Sequence, residues 1–277
     1  MAFRRIRILK DIFIDGITGG RCSVTGCQNY MHFTRREVHH IMHRIELDIT
    51  EQCNLRCTAC VRSCGSAPST REMTVEQVEK FVRDSIDLRW QWESIMLIGG
   101  EPTLHPQLPE IIVRIKKYKD YNNLCRVGLM TNGTDAAEKI LPSIPPWITI
   151  FNNHQSKLQK DQGHDVPFNT APVDVGEWNE RGLTKCNKPV ICGMGLTRDG
   201  YFACQNAGSI HRVFNLGGGI QNLKDVTFQT LDRLIPVSCK YCGFYLMAKG
   251  CHKKYDIHVM TESWKKAFKK YNAAKEL

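Results

Sequence analysis

The chain has 277 residues, is 42% hydrophobic and carries a formal net charge of +10. That length allows one large domain with an appendage, or two modest domains, and the apolar content excludes wholesale disorder. No run of about 18 apolar residues exists, so no membrane-spanning helix is expected. The N-terminus MAFRRIRILKDIFIDG lacks both a continuous apolar segment and a small-residue cleavage site, so it does not read as a secretion signal, and a cytoplasmic location is expected. The basic clusters at Arg4-Arg5-Arg7, Lys116-Lys117, Lys253-Lys254 and Lys265-Lys266-Lys269-Lys270 are scattered along the chain and match no known nucleic-acid motif. They read as solvated helix faces and tails, and neither nucleic acid nor membrane is an expected partner.

Residues 1–43 form an irregular basic extension with a Cys22/Cys27 pair and a His39-His40 run that has no partner motif. Arg44–Thr50 alternates apolar and polar residues, which predicts a strand running into a cysteine-rich loop. Thr74 with Gln77 predicts a capped helix whose apolar face is Val75, Val78, Phe81, Val82 and Ile86. Strands are predicted at 94–98, 125–130 and 147–151, and helices at 108–118 and 135–141. Strand and helix thus alternate from 44 to 151, which argues for parallel strands with helical crossovers. Residues 152–190 are polar and poorly periodic. After Cys186 the chain is rich in glycine and cysteine, as expected where a metal rather than a large core organises the fold. Asp199-Gly200 predicts a turn between two short strands, and Glu262 to Lys275 a basic helix.

The thirteen cysteines are concentrated. Four fall at 53–64 and six at 186–251, and without an export signal they point to metal or redox chemistry rather than disulfides. The string Cys53-Asn54-Leu55-Arg56-Cys57-Thr58-Ala59-Cys60 has the spacing CxxxCxxC directly after the first strand. Three thiolates this close can hold three irons of a 4Fe–4S cube and leave the fourth iron without a protein ligand. Cys64 and Cys125 read as bystanders, Cys125 in the core. Gly99-Gly100-Glu101-Pro102 and Thr131-Asn132-Gly133 end the next two strands. All three motifs therefore lie at the C-terminal ends of successive strands, where parallel α/β barrels build active sites.

In these three motifs the chain resembles the radical S-adenosylmethionine (SAM) superfamily. The resemblance implies a partial (β/α)6 TIM-like barrel, with Cys53, Cys57 and Cys60 holding a 4Fe–4S cluster and with Gly99, Gly100, Glu101 and Asn132 near SAM. The later cysteines are similar to SPASM and twitch extensions, which implies a small C-terminal cluster-binding domain with a second 4Fe–4S cluster. Its candidate ligands are Cys186, Cys204, Cys239 and Cys242; Cys192 could replace Cys186, Cys251 is a spare, and zinc remains an alternative for this group. The expected division is an extension at 1–43, a barrel at 44–185, a cluster domain at 186–260 and a basic tail at 261–277. The implied activity is reductive cleavage of SAM to a 5′-deoxyadenosyl radical, which takes a hydrogen atom from a substrate. Oxidation of a small alcohol is favoured, with modification of a ribosomal peptide or protein as alternative. A reductant such as flavodoxin or ferredoxin is an expected partner. The reading from another class is a non-catalytic iron–sulfur or zinc protein.

Overall fold

The computed structural model of the chain describes residues 41–57, 60–153, 187–242 and 260–274. Among these the organising element is a six-stranded sheet of order β4-β3-β2-β1-β5-β6. Strand β1 (Arg44–Thr50) pairs in parallel with β2 (Ser94–Gly99) on one side and with β5 (Met194–Thr197) on the other. Beyond β2 come β3 (Arg126–Thr131) and β4 (Ile148–Asn152), also parallel. Strand β6 (Gly200–Phe202) turns back antiparallel against β5. The α/β class and the parallel strands of a partial barrel are thus as the sequence implies, and the Asp199-Gly200 turn is the hairpin expected.

Alternation along the strands divides the sheet into two faces. Ile45, Leu47, Ile49, Ile95, Leu97, Val127 and Leu129 share one buried core. Helices α1 (Val75–Asp87) and α2 (Leu108–Tyr121) cover that face with Val78, Phe81, Val82, Ile111 and Ile115. Thr74 and Gln77 cap α1 reciprocally, so the chain turns sharply out of the cysteine loop into the helix. A short helix, α3 (Asp135–Ile140), links β3 to β4. At the base of the sheet the buried Trp92 donates its backbone N–H to the Tyr118 hydroxyl at 2.8 Å and its indole N–H to Ser85 at 2.9 Å, and Tyr118 donates onward to the Trp90 carbonyl.

The opposite face carries Glu46, Asp48 and Thr50 of β1, and Met96 and Phe151 close around Gly128, where a Cβ would come within 2.8 Å of both. Part of this face is covered. Helix α4 (Asn187–Cys192) leads into β5, and α5 (Gln205–Phe214) follows β6, lying so close to Gly195 that a Cβ there would stand 2.6 Å from the Gln205 backbone. Helices α6 (Phe228–Ser238) and α7 (Glu262–Ala273) complete the region. The expectation that metal alone organises the chain after Cys186 is therefore too narrow. Ile210, Val213, Trp264 and Phe268 form a second buried apolar cluster there, and Trp264 donates its indole N–H to the Tyr241 carbonyl at 2.9 Å. Cys22, Cys27, His39, His40, Cys186 and Cys251 lie outside the described residues.

Replacing Tyr118 with Phe removes the acceptor of the buried Trp92 N–H. Urea denaturation should show a loss of about 1–3 kcal/mol, the usual cost of an orphaned buried donor.

Candidate functional site

The three cysteines of the CxxxCxxC string leave the C-terminal end of β1 in one loop. Cys57 is buried, and Cys53 and Cys60 are half-buried. The loop is anchored by its backbone: Glu51 N–H bonds the Arg71 carbonyl at 3.0 Å, Met73 N–H returns to the Ile49 carbonyl at 2.8 Å, and Cys60 N–H bonds the Cys57 carbonyl at 3.3 Å. The hydrogen bond with the neighbouring Cys64 thiol draws the Cys60 thiol down to about 5, against the effect of burial, while the same bond and burial push Cys64 well above the usual thiol range. A thiolate is the form that binds metal. Cys125 is fully buried in the core, as expected, and burial pushes it up to about 12.

The Gly99-Gly100 segment lies against this loop backbone to backbone. Gly100 N–H donates to the Thr50 carbonyl and Glu101 N–H to the Gln52 carbonyl, both at 2.8 Å. A Cβ on Gly100 would fall 2.1 Å from the Gln52 oxygen and 3.1 Å from the Cys53 Cβ, and Gly99 has φ 139, so no other residue fits either place. Glu101 is fully buried. Its carboxylate accepts from the Thr103 hydroxyl at 2.7 Å, Thr103 N–H at 3.2 Å, the Thr131 hydroxyl at 2.8 Å and Asn132 N–H at 2.6 Å. Glu101 therefore joins the end of β2 to the end of β3.

Asn132 completes the arrangement from the third strand. Its Nδ2 donates to Asn54 Oδ1 at 2.7 Å and lies 4.0 Å from Cys53 Sγ, while its Oδ1 accepts from Thr134 N–H and the Thr134 hydroxyl. Gly133, at φ 62, passes so close to Asn152 that a Cβ would overlap its amide. Thus the structure brings together Cys53, Gly99, Gly100, Glu101 and Asn132, and Cys57 and Cys60 follow Cys53 on the same loop.

A buried charge network beneath the loop is not foreshadowed by any of the sequence motifs. Arg62, two residues after Cys60, donates Nε to Asp48 Oδ1 and an Nη to Glu46 Oε2, both at 3.0 Å. Burial, working against the pull of Arg62, pushes Asp48 up to about 6. Burial also opposes the charge on Arg62, but Asp48 and Glu46 outweigh it and hold the guanidinium above its usual pKa. Arg212 of α5 then donates to the Arg62 and Ala67 carbonyls at 2.9 Å, and Ser209 donates to the Val61 carbonyl at 2.9 Å. Asp48, Arg62, Cys64, Gly99, Gly100 and Arg212 line a cavity between loop, strand ends and α5. The available signal was two carboxylates at alternate positions of a strand whose other face is wholly apolar.

Of the later cysteines, Cys204 is the N-cap of α5 and, like Cys242, is buried. Asn206 Nδ2 lies 3.9 Å from Cys242 Sγ, and Cys242 N–H bonds the Cys239 carbonyl at 3.0 Å in a tight CxxC turn. Cys192 lies beside Lys188 and Glu46, and burial pushes it up to about 11. Among the described residues no three His, Cys, Asp or Glu side chains converge on one point. In a cubane each thiolate binds a different iron, so the ligand sulfurs stand at separate corners. The thiol-only donor set suits such a cluster.

Arg62→Met should leave Asp48 and Glu46 buried without their counter-charge, lowering stability by about 3–5 kcal/mol. Adding Asp48→Asn and Glu46→Gln should recover most of that loss in the same urea titration of the metal-free chain.

Residues 47–150 match the family model of the radical SAM superfamily. The chain is 37% identical over 90 residues to a probable GTP 3′,8-cyclase of Pyrococcus horikoshii, covering 32% of this chain and 26% of that protein. It is 32% identical over 99 residues to GTP 3′,8-cyclase of Aquifex aeolicus, covering 35% and 29% respectively. It is 31% identical over 126 residues to molybdenum cofactor biosynthesis protein 1 of Drosophila melanogaster, covering 45% and 21%. The chain thus spans less than a third of the length of these curated relatives. Among solved structures it is similar to BtrN in complex with AdoMet and 2-DOIA, at 14% identity and a TM-score of 0.43 over 80% of this chain and 96% of that one, a likeness too loose to bear on function. No described helix is long and apolar enough to cross a membrane. Members of the matched superfamily use a 4Fe–4S cluster and SAM, and it is in residues 47–150 that this chain resembles the radical SAM superfamily.

Proposed function

We propose that this chain reductively cleaves SAM on a 4Fe–4S cluster held by Cys53, Cys57 and Cys60 and abstracts a hydrogen atom from a small-molecule substrate. The observation that carries this reading is the cysteine loop seated on the Gly99-Gly100 backbone with Asn132 4.0 Å from Cys53 Sγ. When bound, the reduced cluster supplies the electron that splits SAM into methionine and a 5′-deoxyadenosyl radical. The protein's part is placement. Three cysteines leave one iron corner open, and the Gly99-Gly100-Glu101 segment and Asn132 would hold the methionyl end of SAM beside it. The fully occupied Glu101 carboxylate keeps the ends of β2 and β3 level, so those groups face the loop together. Met96 and Phe151 give the face below them an apolar wall that excludes water from a reactive radical.

A second cluster on Cys186, Cys204, Cys239 and Cys242 belongs to the same proposal. It is supported by the proximity of Asn206, next but one to Cys204, to the Cys242 sulfur. A low-potential donor such as flavodoxin or ferredoxin would reduce the enzyme in the cytoplasm. Oxidation of a small alcohol draws no support from the relatives, two of which are named for a cyclase. A second reading follows from those names: rearrangement of a purine nucleotide. It rests on the 37% and 32% identity of the segments matched to the two cyclases.

Anaerobically reconstituted protein reduced with dithionite should convert SAM to 5′-deoxyadenosine; a cluster-loaded, reduced protein that forms none would make the chain a non-catalytic metal protein. Changing Cys53, Cys57 and Cys60 together to Ala should abolish this product and leave about four irons per chain. Loss of all iron would show that there is no second cluster. Glu101→Ala should weaken SAM binding in equilibrium dialysis of the loaded enzyme, and an unchanged affinity would remove the Glu101 segment from the SAM site.

A further inference from the structure

Helix α5 begins with Cys204-Gln205-Asn206, and all three residues are buried, at 7%, 0% and 2% exposure. Gln205 is the anomaly. Both atoms of its amide, Oε1 and Nε2, are sealed from solvent and have no hydrogen-bond partner among the described residues, and neither has Asn206 Oδ1. Buried amides are satisfied in the great majority of native proteins, and an orphan lowers stability. Of the three orphaned atoms only Gln205 Nε2 is a donor, and it points to an acceptor that the described residues do not supply. Asn206 shows where that partner lies, because its Nδ2 is directed at Cys242 Sγ at 3.9 Å. The helix start adds its own field: Cys204 caps α5 without a side-chain cap bond, so the positive end of the helix dipole meets whatever the Cys204 sulfur binds. Nothing apolar explains a glutamine here. Gly195 opposite has no side chain and lets the Gln205 backbone approach to where a Cβ would stand, and a small apolar residue would fill the space without the polar penalty.

We propose that Gln205 and Asn206 are positioning residues for the second metal centre, their amide N–H groups donating to the sulfurs of a cluster bound through Cys204 and Cys242. The inference rests on the second-cluster reading given above. Its consequence is electrical. N–H dipoles aimed at cluster sulfurs favour the reduced, more negative state, and hydrogen bonds to sulfur are among the factors that set a cluster's reduction potential. Gln205 and Asn206 therefore raise the potential of this centre.

The test uses the full chain carrying Cys53→Ala, Cys57→Ala and Cys60→Ala, which isolates the second centre, with a redox titration followed by electron paramagnetic resonance. Gln205→Glu and Asn206→Asp each replace one N–H donor group by a carboxylate oxygen of the same size. Both should keep the iron content of the parent and shift the midpoint potential downward. Gln205→Met, of similar length and without charge, should shift it in the same direction by less, and this variant decides the matter if a buried carboxylate prevents folding as judged by circular dichroism. Iron-loaded variants with the parent's potential would overturn the proposal. A parent that holds no iron at all would instead defeat the second-cluster reading itself, so the two failures are distinguishable.

Discussion

The position of the cysteine loop depends on a buried ion triad. Arg62 leaves the loop two residues after Cys60, reaches back along β1 and is held by Asp48 and Glu46 from one side, while Arg212 grips its carbonyl from the other. In water such charges would be solvated at no structural cost. Inside the fold they have been desolvated, and only close pairing with good geometry offsets that penalty. A buried pair of this kind is a poor source of net stability but a strong source of registration: few other placements of the loop satisfy all three charges at once. The sheet thereby sets the height of the thiolates above it.

Backbone contact finishes what the triad begins. Gly99 and Gly100 let the end of β2 lie on the carbonyls of Thr50 and Gln52, and the carboxylate of Glu101 then collects hydroxyl and N–H donors from its own turn and from the end of β3. Three successive strand ends are locked into one rim by interactions that leave the cysteine sulfurs unconstrained by disulfides among the described residues. A rim that is rigid before its cofactors arrive suits radical chemistry, in which a mispositioned hydrogen atom means a side reaction rather than a slower one.

Much of this was legible in the sequence, and for physical reasons. Residues 44–151 alternate strand and helix with caps and periodicity that agree with the fold, so the Thr74 capping box and the strand from Arg44 to Thr50 match the structure residue by residue. CxxxCxxC, the paired glycines and Thr131-Asn132-Gly133 are local strings whose roles depend on neighbours a few residues away. The role of Glu101 was not legible, because its donors come from Thr131 and Asn132, thirty positions on. Nor was the Arg62 triad, which joins a loop to alternate positions of β1. Helix α5, buried from Gln205 to His211, was missed. Its opening Gln205-Asn206-Ala207-Gly208-Ser209 is a string of polar and small residues that reads as loop, although the fold buries all five.

The region after β5 has an apolar core of its own, to which the proposed second centre would add. An apolar cluster around Trp264 fixes α5 and α7, and the buried cysteines and amides at the start of α5 lie where a metal would add to it. The central claim concerns the first loop: Cys53, Cys57 and Cys60 leave one iron free to take SAM directly. The most direct measurement is the electron paramagnetic resonance spectrum of the reduced, reconstituted chain before and after SAM is added. Binding at an open iron predicts that the signal changes shape and g-values on addition of SAM and that the change is absent when the three cysteines are Ala. A reduced signal from that loop's cluster that SAM leaves untouched would contradict it.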